Sequence, residues 1–192
     1  MMIERIRREH GYMVRLLAIL RHKLNEIKQE NAINYALVSE IVDYLSNHSE
    51  KIHHPKEDIL YHYFLKQYGQ QNFLKQYGQQ KTIENLELEH QVLASKTKDF
   101  SMLLEMILQD AVVPQELFIT QLEDFIVTQK RHLELEERQV LPLIEELFTS
   151  DDWQYVESLW HQSEDDPVFG STIADRYKQL AERVRQNDVE FV

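Results

Sequence analysis

The sequence predicts an all-α fold: an up-down-up-down four-helix bundle with additional short C-terminal helices. Three observations predict it. Only four glycines and four prolines interrupt 192 residues, while strong helix formers abound. Apolar residues recur at spacings of three and four through four long segments. Short connections between those segments make successive helices antiparallel neighbours.

The first helix is expected over 3–28. Asn31 to Asn34 break the chain before a second helix over 34–68, and a third spans 81–109. Pro114, after Val112-Val113, suits the first turn of a fourth helix over 115–148. Between the second and third, Phe64-Leu65-Lys66-Gln67-Tyr68-Gly69-Gln70-Gln71 returns unchanged at 73–80. That period is too short for a solenoid and reads as a local tandem duplication lengthening the connection. Gly69 and Gly78 stand where a helix takes a left-handed glycine just past its end. The second helix should therefore end near Gly69, and the second copy should add a short turn.

Beyond Phe148, Thr149-Ser150-Asp151-Asp152 supplies N-cap candidates for a short helix carrying Trp153, Tyr155, Val156, Leu159 and Trp160. Ser163-Glu164-Asp165-Asp166-Pro167 ends it, and a last helix is expected over 171–187. The chain thus divides into a bundle at 1–148 and a helical extension at 149–192. The two tryptophans require apolar cover, either as a brace on the bundle or at a homodimer contact.

Charge and composition exclude several classes of function. The net charge of −12 disfavours nucleic acid and anionic membrane surfaces. No cysteine is present, which removes disulfides, thiolate ligands and cysteine nucleophiles. No apolar run approaches the roughly 20 residues that span a bilayer, and residues 1–10 carry no signal-like apolar core. A cytoplasmic protein is expected.

The chemistry lies in His53-x-x-x-Glu57 and His132-x-x-x-Glu136, two histidine–glutamate pairs at one helical turn. Each follows a lone histidine, His10 and His90. The two halves superpose with offsets of 80, 79 and 79 residues. Four imidazoles and two carboxylates in a duplicated three-ligand unit are the inventory of a two-metal centre. At about 100° per residue, Glu57 lies about 40° from His53, and both fall within the stripe of Val42, Leu60 and Phe64. His132 and Glu136 sit likewise among Leu122, Phe125 and Leu143. His10 falls among Ile3, Ile6, Val14 and Leu17, and His90 among Ile83, Leu86, Leu93 and Leu104.

A single histidine on such a face is ordinarily a hydrogen-bonded core residue. Six residues obeying one pattern are different: two carboxylates in an apolar core need positive charge, and the stripes offer no lysine or arginine. A metal cluster supplies it. His54, Asp58 and His62 form a competing row about 100° to 180° from His53, read as the solvated side or as support for the ligands. His22, His48 and His161 receive no role. Tyr61, Thr97, Gln129 and Gln139 are candidate hydrogen-bond partners of the ligands.

The motif His53-His54-Pro55-Lys56-Glu57-Asp58-Ile59-Leu60-Tyr61, followed by His132-Leu133-Glu134-Leu135-Glu136, closely resembles the hemerythrin-like family, the HHE cation-binding domain. Glu9-His10 and Glu89-His90 resemble its other two signature positions, and the resemblance covers about 1–148. It implies a four-helix bundle around a non-haem di-iron centre. His10, His53, His90 and His132 would be terminal ligands, and Glu57 and Glu136 would bridge two iron ions together with an oxo or hydroxo group. Imidazole and carboxylate suit iron, although other divalent metals such as zinc or manganese can occupy such a site in vitro. His-x-x-x-Glu differs from the Glu-x-x-His of ferritin-like proteins.

One departure stands out. Oxygen-carrying members have a fifth histidine one turn away on the third helix, where this chain has Leu86 and Ala94. The four-histidine set is closer to members linked to nitric oxide and iron-cluster repair, which carry a cysteine-bearing segment not found here. The expected function is a di-iron protein that binds or reacts with a small diatomic, O2 or NO, or with peroxide. Its alternatives are iron handling without turnover, an NO- or peroxide-consuming redox enzyme dependent on an external electron donor, and a purely structural bundle.

Overall fold

The computed structural model describes residues 2–70, 79–160, 166–171 and 173–190. Among them every regular element is a helix, with no strand. The first rod is α1 (Met2–Lys28). The second joins α2 (Tyr35–Tyr44), a π-helical stretch Leu45–His53, and α3 (His54–Tyr68). The third is α4 (Gln79–Leu108). The fourth joins α5 (Gln115–Leu135), a π-helical turn Glu136–Val140, and α6 (Leu141–Leu147). α7 (Ser150–Leu159) follows, and a 3-10 turn at Asp175–Tyr177 leads into α8 (Lys178–Glu190).

Local chemistry explains the rod ends. α1 and α4 both close in Schellman geometry with a left-handed residue, Glu30 (φ 64°) and Asp110 (φ 60°). The crossing bonds are equivalent: Asn31 N–H donates to the Glu26 carbonyl and Ala111 N–H to the Met106 carbonyl, each at 3.0 Å. Asn34 caps α2 by accepting from Leu37 N–H at 3.0 Å. Its counterpart Pro114 is extended (φ −58°, ψ 130°), so it stands as the cap of α5 rather than inside its first turn. Gly69 also departs from expectation. It ends α3 in a right-handed conformation (φ −58°), and no left-handed glycine is used there. Residues 73–78 of the second octapeptide copy, including Gly78, together with His161 and Ser163 to Asp165, lie outside the described residues.

Two apolar cores fill the bundle. One gathers Leu16, Leu20, Ile41, Tyr44, Phe100, Leu104, Phe118 and Phe125, and is extended by Tyr177, Leu180 and Val184 from the C-terminal segment. The other gathers Ile3, Ile6, Leu60, Phe64, Leu86, Leu141, Ile144 and Phe148, together with Val156 of α7. A layer of buried histidines and carboxylates lies between them.

The extension braces the bundle. Thr149 and Asp152 form a capping box at the start of α7. Asp152 also accepts from the Tyr63 and Tyr68 hydroxyls of α3, at 2.7 and 2.6 Å. Trp153 packs edge-on against Phe148 at 4.9 Å. The Trp160 ring lies beneath the Arg5 guanidinium and the Lys56 ammonium. No helix of the described residues is long and apolar enough to cross a membrane.

Candidate metal centre

All six side chains singled out in the sequence meet in the polar layer, and none of them is more than 5 % exposed. Each rod contributes. His10 comes from α1, His53 and Glu57 from the second rod, His90 from α4, and His132 and Glu136 from the fourth. Both π-helical stretches touch this layer: one ends at His53, the other begins at Glu136. A π turn holds one extra residue and resets the facing of the residues downstream, a distortion that concentrates at functional sites.

Each carboxylate spans two sets of imidazoles. Glu57 Oε1 lies 3.0 Å from His10 Nε2 and 3.2 Å from His53 Nε2, while its Oε2 lies 3.7 Å from His90 Nε2. Glu136 Oε1 lies 3.3 Å from His132 Nε2 and 3.6 Å from His90 Nε2, while its Oε2 lies 3.5 Å from His10 Nε2. Two ligands each about 2.1 Å from one ion stand roughly 3.0 Å apart at 90° and roughly 3.6 Å apart at 120°. The observed separations, from 3.0 to 3.7 Å, follow that range closely.

A fifth imidazole joins them. His54, expected on the solvated side, is 2 % exposed. It stacks on His90 with ring centroids 4.2 Å apart. Potential ligand atoms of His54, Glu57, His90 and His132 all lie within 4.8 Å of one another, and those of His10, His53 and Glu57 do likewise. A helical wheel misplaces His54 because a bundle helix has two neighbours in directions about 90° apart. A residue about 100° from His53 therefore faces the other neighbour, not water. His53 turns toward His10 of α1 and His54 toward His90 of α4. The rest of that row divides: Asp58 hydrogen-bonds into the site, and His62 is exposed beside Glu87.

Every one of the five rings is held from behind by a carboxylate. Nδ1 of His53 donates to Glu9 at 2.6 Å, of His10 to Glu137 at 2.7 Å, of His90 to Asp58 at 2.8 Å, of His54 to Glu50 at 3.1 Å, and of His132 to Glu89 at 3.3 Å. An ionised carboxylate only accepts, so Nδ1 carries a proton and leaves Nε2 as the atom that a neutral ring would offer to a metal. This arrangement sets the tautomer and orientation of histidines that bind metal. Four of the five holders obey the duplication: Glu9 and Glu89 hold histidines of their own half, Asp58 and Glu137 those of the opposite half.

The donor set fits a metal on a further observation. His53 Nε2, His90 Nε2, His132 Nε2, Glu57 Oε2 and Glu136 Oε2 are buried and make no hydrogen bond among the described residues. Five orphaned atoms aimed at one another would be costly in a finished core.

The family model for the hemerythrin HHE cation-binding domain matches residues 1–144. The chain belongs to this family. No curated protein and no solved structure matches it.

Without metal, this hemerythrin-like domain balances its buried carboxylates with protons. Burial opposes charge on His10, but Glu137, Glu57 and Glu136 outweigh it and lift its pKa to about 10. Burial opposes charge on His90 too, and Asp58, Glu136 and Glu57 bring it to about 10. His53 is raised by Glu57 and Glu9 against full burial. Glu57 is held well below the usual carboxylate range, since His53 and His10 overcome its burial. Burial also raises Glu9, but His53 and Arg5 prevail and bring it to about 2. His54 goes the other way: burial depresses it, and the Glu50 carboxylate does not compensate.

The remaining candidates sort by contact. The Tyr61 hydroxyl donates to Glu136 at 2.8 Å, and burial followed by the charges of Glu136 and Glu57 raises its pKa, keeping it a donor. Thr97 and Gln129 donate to Glu50, the carboxylate behind His54. Gln139 is exposed. His22 is on the surface beside Glu26, whereas His48 is buried beside Asp166 and Tyr44. The signal for His54 is present in the sequence as Glu50-x-x-x-His54, one turn with a carboxylate behind the ring.

Proposed function

We propose that this hemerythrin-like protein holds two iron ions and binds a small diatomic, O2 or NO, or reacts with peroxide. The observation that carries this reading is the division of the two buried glutamates. One oxygen of each faces a set of imidazoles containing His10, and the other faces a set containing His90. Two cation positions sharing two carboxylates account for that division, and one cation does not. His10 and His53 would serve one position; His54, His90 and His132 would serve the other; Glu57 and Glu136 would serve both. A pair of iron ions supplies electrons that a bound diatomic can accept.

The chain's own residues do the rest. Glu9, Glu50, Asp58, Glu89 and Glu137 fix the rings and increase their basicity. Tyr61 holds Glu136 and has a proton at its hydroxyl within the dry layer. The apolar cores on either side exclude water. The depth of the ligands favours a resident metal over rapid loading and release, which sets this reading above iron handling. Anaerobic iron loading with metal quantitation, then visible spectra on adding O2, NO and peroxide in turn, tests it. About two irons per chain and a spectral response are expected. A single tightly held ion, or spectra indifferent to all three ligands, would reject the reading.

A further inference from the structure

The first and fourth rods run antiparallel: Arg7 meets Glu145, His10 meets Glu137, and Lys28 meets Glu123. That register places Leu17 level with Leu133 and Arg21 level with Lys130. Between the two rods lies a cavity of about 300 Å³. Its floor is apolar, since Leu17, Ile126 and Leu133 are all buried, and Val14, 53 % exposed, stands at its mouth. His10 closes one end.

The charges around the rim do not balance. Arg21, Lys130 and Arg138 line it, against the carboxylates of Glu134 and Glu137. Glu137 is already engaged, with His10 Nδ1 at 2.7 Å and Arg7 at 3.5 Å. Glu134 is shared, 3.7 Å from Lys130 and 3.9 Å from Arg138. Arg21 has no carboxylate partner among the described residues. Two cations held level across one apolar mouth repel each other unless an anion lies between them.

We propose that this cavity binds a medium-chain carboxylate, an acid with an unbranched apolar tail. Its head lies between Arg21 and Lys130, and its tail runs along Leu17, Ile126 and Leu133 toward His10. The two cations supply charge-assisted hydrogen bonds to the carboxylate. The tail displaces water from the floor, and each methylene buried there favours binding about four-fold. At roughly 30 Å³ for each water-sized group, the space takes about ten non-hydrogen atoms, as in an eight-carbon acid. An uncharged hydrocarbon leaves both cations unanswered, and a small hydrated anion leaves the floor wet. The net charge of −12 disfavours an anionic bilayer, so the ligand is the free acid rather than a lipid surface. The site needs no metal and is independent of the di-iron reading.

Methyl NMR on the metal-free protein tests it, with octanoate, hexanoate and octan-1-ol as probes. Octanoate should give saturable shifts at Leu17, Ile126 and Leu133. Hexanoate, two methylenes shorter, should bind about ten-fold more weakly, and octan-1-ol, which lacks the charge, should also bind more weakly. Arg21→Gln and Lys130→Gln should each weaken octanoate about five-fold and leave octan-1-ol unchanged. Arg185→Gln, at an exposed arginine on α8, should alter neither. Val14→Trp should fill the mouth and abolish the shifts. Absent saturable shifts, octanoate binding no tighter than hexanoate or octan-1-ol, or an octanoate affinity indifferent to both rim substitutions overturns the assignment.

Discussion

Replacing Glu57 by glutamine removes one buried charge without changing shape, and the structure sets the size of the effect on the metal-free protein. In wild type, Glu57 faces His10 and His53, whose pKa values are both raised. A rise of His10 from 6.5 to about 10 corresponds to at most ~5 kcal/mol. Three carboxylates share that effect, so Glu57 accounts for about 2 kcal/mol of it, and its contact with His53 acts in the same direction. Glu57→Gln should therefore destabilise the metal-free protein by about 3 kcal/mol, lowering Tm by roughly 6–12 °C for a chain of this size.

The pH dependence has a definite sign. Histidines whose folded pKa is raised contribute stability that is complete below about 6.5 and lost as pH climbs toward about 10. Glu57, whose folded pKa is lowered, contributes above the usual carboxylate range. The gap between wild type and variant should be widest near pH 6 and shrink by pH 10. Thermal melts by circular dichroism with chelator at both values measure it. A variant as stable as wild type at pH 6, or a gap equally wide at pH 10, would refute this charge balance.

Other perturbations probe other parts of the structure. Metal loading near pH 7.5 should release about two protons per chain, from His10 and His90, measurable by calorimetry in buffers of different ionisation enthalpy. Proton release near zero would contradict the protonated resting state. His54→Leu copies the other half of the chain at this position. It should weaken one of the two metal positions by about 10- to 100-fold while sparing the other, visible as a split in metal titrations. Two equally tight positions in that variant would remove His54 from the ligand set. Asp152→Ala leaves the Tyr63 and Tyr68 hydroxyls and the start of α7 without their acceptor and should cost about 2 kcal/mol in urea denaturation, with little change in metal content.

Legibility in the residues divides along physical lines. The helical rods are legible because apolar periodicity is local and four long segments carry it. The end of α5 shows the limit: a π turn at Glu136–Val140 interrupts a pattern that looks continuous, because the extra residue is accommodated by neighbouring rods. Gly69 departs from its expected geometry for a related reason. Glycine permits a left-handed helix end without requiring one, and the left-handed positions fall to Glu30 and Asp110. Tyr61 can be named from the sequence but not its partner, since a hydroxyl on an inner stripe can reach several acceptors until the rods are docked.

By itself the sequence determined that helices form and that six imidazole and carboxylate side chains share the inner stripes, because helical rise and twist arise from local backbone geometry. It also determined the twofold internal likeness that repeats a histidine, histidine and glutamate set in each half. Only the tertiary structure decided which neighbour each residue faces. That choice buried His54 against His90 and set a carboxylate behind each of the five rings of the site. A helical wheel fixes an angle about one axis. Burial and contact depend on where the other three axes stand, and those are set by packing across the whole bundle.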